Sequence, residues 1–176
     1  MIRYILIAVV GYLLGSVSIS VLLSASVWHN DVRNHGSGNA GATNVARVFG
    51  LPQGLLTLAG DMLKTALAGL FGLLLAGRTG MVVGCFGALI GHSWPVFFRF
   101  RGGKCVSVAA CIALLLDWRL FLILFATAAL AIPKWMMRAF TPDPELIEIG
   151  AGYLRIAGWS YLITGVHEGP QFVNML

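Results

Sequence analysis

From Tyr4 to Leu23 the chain reads YILIAVVGYLLGSVSISVLL, without one charged side chain. Roughly 20 apolar residues are what a helix needs to cross a bilayer's hydrocarbon, where every backbone amide must find its partner within the segment. Arg3 ahead of the run and SAS at Ser24–Ser26 behind it resemble a secretory signal. However, the run is longer than the roughly 7–15 residues of a signal's apolar core, and more apolar runs follow. It is expected to remain as a transmembrane helix over about Ile2–Val27, with Gly11 and Gly15 at G-x-x-x-G spacing as a packing face.

Further spans are expected at about Leu51–Ala76, at Met81–Ile90 continuing toward Phe100, and at Val106–Ile132. Asp117, Trp118 and Arg119 interrupt the last, so it is either one long tilted helix or two short ones with a turn at Asp117. A weaker segment, Ile147–Val166, carries Glu148 and Arg155 and either spans or lies in the interface. Only 11% of the 176 residues are charged, against roughly 25% in soluble domains, so the surplus apolar surface belongs in lipid. The expected fold class is all-α: a polytopic integral membrane helical bundle with two glycine-rich cytoplasmic loops.

The orientation follows from lysine and arginine. Alternating spans put Arg33, Arg47, Arg99, Arg101 and Lys104 on one side, and only Arg3 and Arg78 on the other before the third span. Cytoplasmic loops hold the excess of positive residues, so the two long polar loops are expected in the cytoplasm. The net charge of +5 is spread over single residues with no nucleic-acid motif, which points to membrane topology and away from nucleic acid. Cys85, Cys105 and Cys111 lie in or beside apolar runs without metal or disulfide spacing and read as small buried hydrophobes. Asp61 and Lys64, inside the second span, share a helical face. They form either a buried packing pair or part of a polar site reached from the loops.

Two stretches carry the chemistry. HGSGNAGATNVAR, residues 35–47, is too poor in apolar surface to be a core element. Its glycines, Gly36, Gly38 and Gly41, let backbone N–H groups close around an anion. Ser37, Asn39 and Asn44 add side-chain donors, and Arg47 adds a cationic fork suited to phosphate. GHSWPVFFRFRGGK, residues 91–104, is its counterpart: His92 at a helix end, Pro95 to break the helix, an aromatic run for the membrane boundary, then Arg101-Gly102-Gly103-Lys104 as a second anion cradle. The alternatives are a neutral interfacial histidine and plain inner-leaflet charge. There is no Walker loop, and the G-x-G-x-x-G of Gly36–Gly41 follows no strand of a βαβ unit. Neither HExxH nor paired cysteines occur, so no metal and no cofactor is expected.

SGNAGATNVAR and GHSWPVFFRFRGGK resemble the first and second signatures of the bacterial acyl-phosphate:glycerol-3-phosphate acyltransferases, the PlsY family. GYLLGSVS at Gly11–Ser18 and DMLK at Asp61–Lys64 are similar to that family's residues as well, so the resemblance covers about residues 1–132. It implies a multi-pass enzyme of the bacterial inner (plasma) membrane, its partners acyl phosphate, glycerol 3-phosphate and the bilayer. The implied reaction moves a fatty acyl group from acyl phosphate to the 1-hydroxyl of glycerol 3-phosphate, giving lysophosphatidic acid and phosphate. Acyl phosphate is a mixed anhydride with a good leaving group, so positioning and charge neutralisation are the main requirements. On this basis Ser37, Asn39 and Arg47 are expected to bind phosphate and stabilise transition-state charge, within a cradle that includes Gly38, Gly41 and Asn44. Arg101, Gly102, Gly103 and Lys104 are expected to hold the other phosphate, that of glycerol 3-phosphate. Asp61 and Lys64 join the substrate site. His92 orients the attacking hydroxyl or acts as base, a role a substrate phosphate also suits.

The family's third signature, built around H-x-E-N, is not matched: VHEGPQF, residues 166–172, has His167 and Glu168 adjacent and no Asn after them. Cys105 and Ser107 stand where the family usually has small residues, often Gly and Ala. Residues 138–166, RAFTPDPELIEIGAGYLRIAGWSYLITGV, resemble a segment of the multidrug and toxin extrusion transporters. The expected organisation is therefore an incomplete acyltransferase-like transmembrane domain, 1–132, followed by a junction and divergent tail helix, 133–176, in which Thr141 or Asp143 caps the helix after TPDPE. The competing readings are a fragment of a transporter-like protein and a non-catalytic module binding anionic lipid.

Overall fold

The structure, a computed structural model, describes residues 1–138 and 141–167. Those residues form helices α1 (Ile2–Ser16), α2 (Ile19–Ser26), α3 (Ala42–Phe49), α4 (Leu51–Ser93), α5 (Val106–Leu116), α6 (Trp118–Ala131), α7 (Pro133–Met137) and α8 (Pro144–His167), with single 3₁₀ turns at Val32–Asn34 and Val96–Phe98. They divide into two compact units, Met1–Leu116 and Asp117–Leu176.

In the first unit, α4 is a hairpin. Ala76 (φ −147°, ψ 24°) and Gly77 (φ 63°, ψ −156°) leave helical geometry and reverse the chain. The Gly77 conformation lies in a region open essentially to glycine alone. Two spans were expected here, with a connection around residues 77–80, and the reversal falls at its start. Small residues let the arms, 51–75 and 78–93, touch through their backbones. A Cβ on Gly72 would strike the Gly80 carbonyl, and one on Gly84 would strike that of Ala68. Helix α1 runs parallel to the second arm in the same manner, Gly11 against Gly84 and Gly15 against Ala88. The G-x-x-x-G face is therefore used, and the C-terminal ends of α1 and α4 lie at one end of the bundle.

The outer surface is apolar and part of the interior is polar. Along the first arm of α4, Leu63, Leu67, Leu70 and Leu74 face outward, Leu74 at 77% exposure, while Asp61, Lys64 and Thr65 are buried. A water-soluble helix would place these the other way round. The stretches 2–26 and 51–98 are long and apolar enough to cross a membrane.

One expected helix is divided, and the region 106–132 takes the two-helix alternative. The first span breaks after 15 residues: Val17 and Ser18 are extended (ψ 105° and 100°) before α2 begins. The physical reason is a set of polar contacts that a continuous helix would not offer. Ser20 Oγ donates to the Ala40 carbonyl (2.7 Å), Ser16 Oγ accepts from Val96 N (3.4 Å), and the Val17 carbonyl accepts from Lys64 (2.7 Å). The region 106–132 is two helices, because Asp117 leaves the helix and caps α6 by accepting from Arg119 N (2.9 Å).

In the second unit, small residues again allow close contact: Ala126 and Ala129 of α6 and Ala151 of α8 are buried, and Gly158 lies against Leu130. Asp143 starts α8 by accepting from Glu145 N (2.9 Å), and Lys134 pairs with Glu148. Of VHEGPQF, the residues from Glu168 onward lie outside the described residues.

Candidate functional site

The first glycine-rich loop is built around Asn44. This buried side chain, near the start of α3, directs its amide nitrogen to the carbonyls of Val32 (3.2 Å), His35 (3.1 Å) and Asn39 (2.9 Å). Its oxygen accepts from Ser37 N (2.9 Å). Gly36 and Gly38, at φ 58° and 69°, supply the left-handed turns that this wrapping needs. Asn44 thus spends its hydrogen-bonding capacity on the loop itself. Ser37 and Gly38 stand exposed on the loop, Asn39 and Gly41 are half-buried, and Arg47 is exposed in the last turn of α3. Serines of α2 fasten the loop to the bundle: Ser20 through Ala40, and Ser24 by accepting from Val32 N (3.2 Å).

The second loop folds back over the end of α4. Gly103 N donates to the His92 carbonyl (3.0 Å). A side chain on Gly102 would strike that carbonyl, and one on Gly103 would strike the imidazole at Nε2. These two glycines are therefore required by the close approach of the turn to His92, whatever the turn binds. Arg101 and Lys104 flank them, both exposed. Arg99, Phe100 and Cys105 hold left-handed φ values of 57°, 59° and 60°, sparsely populated for non-glycine residues.

Beneath the second loop lies a buried polar cluster. Lys64 Nζ is 3.0 Å from Asp61 Oδ1, 2.7 Å from the Val17 carbonyl and 3.0 Å from His92 Nδ1. Asp61 and His92 are 3.6 Å apart, so the lysine bridges them. Among the described residues Asp61 Oδ2 has no hydrogen-bond partner. Removing one member of such a buried pair leaves an uncompensated charge, at a cost of about 3–5 kcal/mol. The hairpin explains the meeting: antiparallel arms bring residues 61 and 64 opposite residue 92, and α1 ends beside them.

The two loops meet through Arg33. It pairs with Asp31 (2.7 Å) and donates from Nη1 to the Phe98 carbonyl (3.2 Å), across 65 residues of sequence. Tyr12 OH of α1 separately fastens the second loop to the bundle by donating to the Trp94 carbonyl (3.0 Å). The Asp31 carboxyl is held below its ordinary value, chiefly by the hydrogen bond from Arg33. In the sequence Arg33 stands out only as one of the loop charges. Nothing in its spacing announces a partner 65 residues away. Ser16 and Ser20, read as part of an apolar span, were missed for the same reason.

Apolar helices facing outward, a charged cluster facing inward and two polar loops tied together at one end define a polytopic membrane protein with a single elaborated polar end. Residues 5–141 match the family described as Glycerol-3-phosphate acyltransferase. The glycerol-3-phosphate acyltransferase of Syntrophotalea carbinolica is 44% identical over 126 residues, 70% of this chain and 64% of the relative. That of Exiguobacterium sibiricum is 42% identical over 124 residues, 70% of this chain and 60% of the relative. A crystal structure of PlsY, an integral membrane glycerol 3-phosphate acyltransferase, in its glycerol 3-phosphate form, is similar with a TM-score of 0.63 at 28% identity, covering 94% of this chain and 92% of that one. The chain belongs to the glycerol-3-phosphate acyltransferase family. It spans about six-tenths of the length of the curated relatives it matches, at 62%, 60% and 64% for three of them.

Proposed function

We propose that this chain transfers a fatty acyl group from acyl phosphate to the 1-hydroxyl of glycerol 3-phosphate, in the bacterial inner membrane with both loops in the cytoplasm. The single observation that carries the reading is the Arg33–Phe98 hydrogen bond, which holds two glycine-lined, cation-tipped loops at one end of the bundle. A two-substrate transfer between phosphorylated compounds needs both phosphates on one face, close together.

In this reading Ser37, Asn39 and Arg47, with the backbone at Gly38 and Gly41, bind the acyl phosphate and neutralise charge as the phosphate leaves. Lys104 and Arg101, with Gly102 and Gly103, hold glycerol 3-phosphate. Asn44 serves the site by shaping the first loop, and Asp61 and Lys64 by supporting His92. His92 orients the acceptor, and the apolar helix faces receive the acyl chain. Bond by bond, the 1-hydroxyl oxygen attacks the acyl carbon, the carbon–oxygen bond to phosphate breaks, and phosphate departs with the electron pair. The hydroxyl proton passes to a phosphate oxygen or to a base. Most of the acceleration on a mixed anhydride comes from positioning and fixed positive charge.

The tail, 133–176, is proposed as a divergent end that replaces the family's third signature, with lower turnover as its consequence. The test is phosphate release by the purified chain from an acyl phosphate, with and without glycerol 3-phosphate. Release that depends on glycerol 3-phosphate supports the reading, and release indifferent to it contradicts the reading.

A further inference from the structure

We infer that Lys64 is a positioning residue that locks His92 as a neutral hydrogen-bond donor, its Nε2–H presented at the Gly102–Gly103 turn to an oxygen of a bound phosphate group. The proposal rests on the acyltransferase reading above and gives His92 one of the two roles left open for it.

A lysine ammonium has three N–H donors and no acceptor. Lys64 Nζ has three neighbours within 3.0 Å: Asp61 Oδ1, the Val17 carbonyl and His92 Nδ1. The first two are acceptors, and in the ion pair with the Asp61 carboxylate Lys64 is the ammonium. The third N–H therefore points at His92 Nδ1, which must offer a lone pair. An imidazole with a lone pair at Nδ1 carries its proton at Nε2. Asp61 cannot reverse the tautomer, because it stands 3.6 Å from the ring and accepts from the lysine instead.

The other edge of the ring faces the second loop. Nε2 lies where a Gly103 side chain would sit, and the turn is pinned there by Gly103 N donating to the His92 carbonyl. A donor fixed beside a glycine turn flanked by Arg101 and Lys104 has the chemistry to hold a phosphate oxygen. It has no lone pair at that nitrogen with which to deprotonate a hydroxyl. His92 in this state donates and orients, and the attacking hydroxyl loses its proton elsewhere.

The test begins with ¹⁵N NMR of histidine-labelled protein in detergent micelles. The chain has four histidines, and a His92→Gln variant identifies the His92 signals by their disappearance. The expected spectrum shows a lone-pair nitrogen at Nδ1 and a protonated Nε2, with Nε2 shifting on addition of glycerol 3-phosphate or inorganic phosphate. Lys64→Met should blur that signature into a tautomer mixture. A protonated Nδ1, an imidazolium, or an Nε2 indifferent to both phosphates overturns the proposal. The deciding spectra are those of the parent, assigned with His92→Gln, so misfolding of the lysine variant does not leave the question undecided.

Kinetics add a second arm. Glutamine keeps an N–H donor but is no base, so His92→Gln should retain activity within about tenfold and mainly raise KM. Loss of a general base would cost roughly 10²–10⁴-fold in kcat. A parent with the predicted spectrum but no acyl transfer would defeat the functional reading alone.

Discussion

Arg33 Nη1 donates to the Phe98 carbonyl at 3.2 Å, and this contact ties the first glycine-rich loop to the second. Its importance lies in position: the donor is held by Asp31, and the acceptor precedes the Arg101–Lys104 turn by a few residues. Arg33→Ala removes this tie while each loop keeps its own contacts to the bundle. Small misplacements of reacting groups cost up to about 10²-fold in rate. The expected result is a 10- to 100-fold fall in kcat/KM with little change in melting temperature. Arg33→Lys should recover only part of it, since an ammonium does not replace a planar fork.

The Asp31–Arg33 pair also predicts a pH dependence. Asp31 titrates below its ordinary value of 3.8 in the folded chain. Stabilisation from a depressed carboxylate is present above the unfolded value and is lost as pH falls through the folded one. Thermal melts of the parent and Asp31→Asn should therefore differ at pH 6, begin to approach one another below about pH 4, and converge only below the folded value. High salt should narrow the gap at pH 6, because the pair is partly exposed and screened.

Asn44 should be the most sensitive residue of the first loop although it is buried under it. Its amide serves three carbonyls and its oxygen one backbone N–H. Asn44→Ala takes the side-chain partner from the Asn39 carbonyl and from Ser37 N, while the Val32 and His35 carbonyls still accept from His35 N and Gly38 N. A buried polar group so abandoned costs about 1–3 kcal/mol. Asn44→Asp should do worse, because it turns a donor into an acceptor facing carbonyl oxygens. Differential scanning fluorimetry in micelles checks both, with activity expected to fall alongside stability.

At Gly77 the backbone alone is at stake. Among the described residues a Cβ there would meet nothing within 4 Å, so Gly77→Ala changes the cost of φ 63°, ψ −156°. Such conformations cost non-glycine residues about 1–3 kcal/mol. The variant should melt lower and, at temperatures where it is folded, keep the parent's kcat. Gly72→Val, by contrast, should separate the arms and disturb the Asp61–Lys64–His92 meeting.

The apolar spans, the reversal near Ala76, the position of the two glycine-rich stretches between helices and the break at Asp117, as one of two alternatives, were legible because each rests on local pattern. Hydropathy marks a span, a glycine marks a turn, and an aspartate within an apolar run marks a cap. The division at Val17–Ser18 was not legible. The run YILIAVVGYLLGSVSISVLL satisfies every local criterion for one helix, and only contacts with Ala40, Lys64 and Val96, all distant in sequence, break it. The same holds for Lys64. Its i,i+3 pairing with Asp61 was visible, but its bond to His92 needed the hairpin. Asn44 looked like one more donor for ligand because sequence cannot distinguish a side chain facing a substrate from one facing its own loop.

The central claim is that the two loops act together on two phosphorylated substrates. The most direct measurement is lysophosphatidic acid and phosphate formation from an acyl phosphate and glycerol 3-phosphate by the purified chain, its Arg47→Ala variant and its Lys104→Ala variant. The account predicts coupled formation of both products by the parent and near-complete loss in each variant, with Lys104→Ala raising KM for glycerol 3-phosphate. Parent-like turnover by Arg47→Ala, or phosphate release without glycerol 3-phosphate, would contradict it.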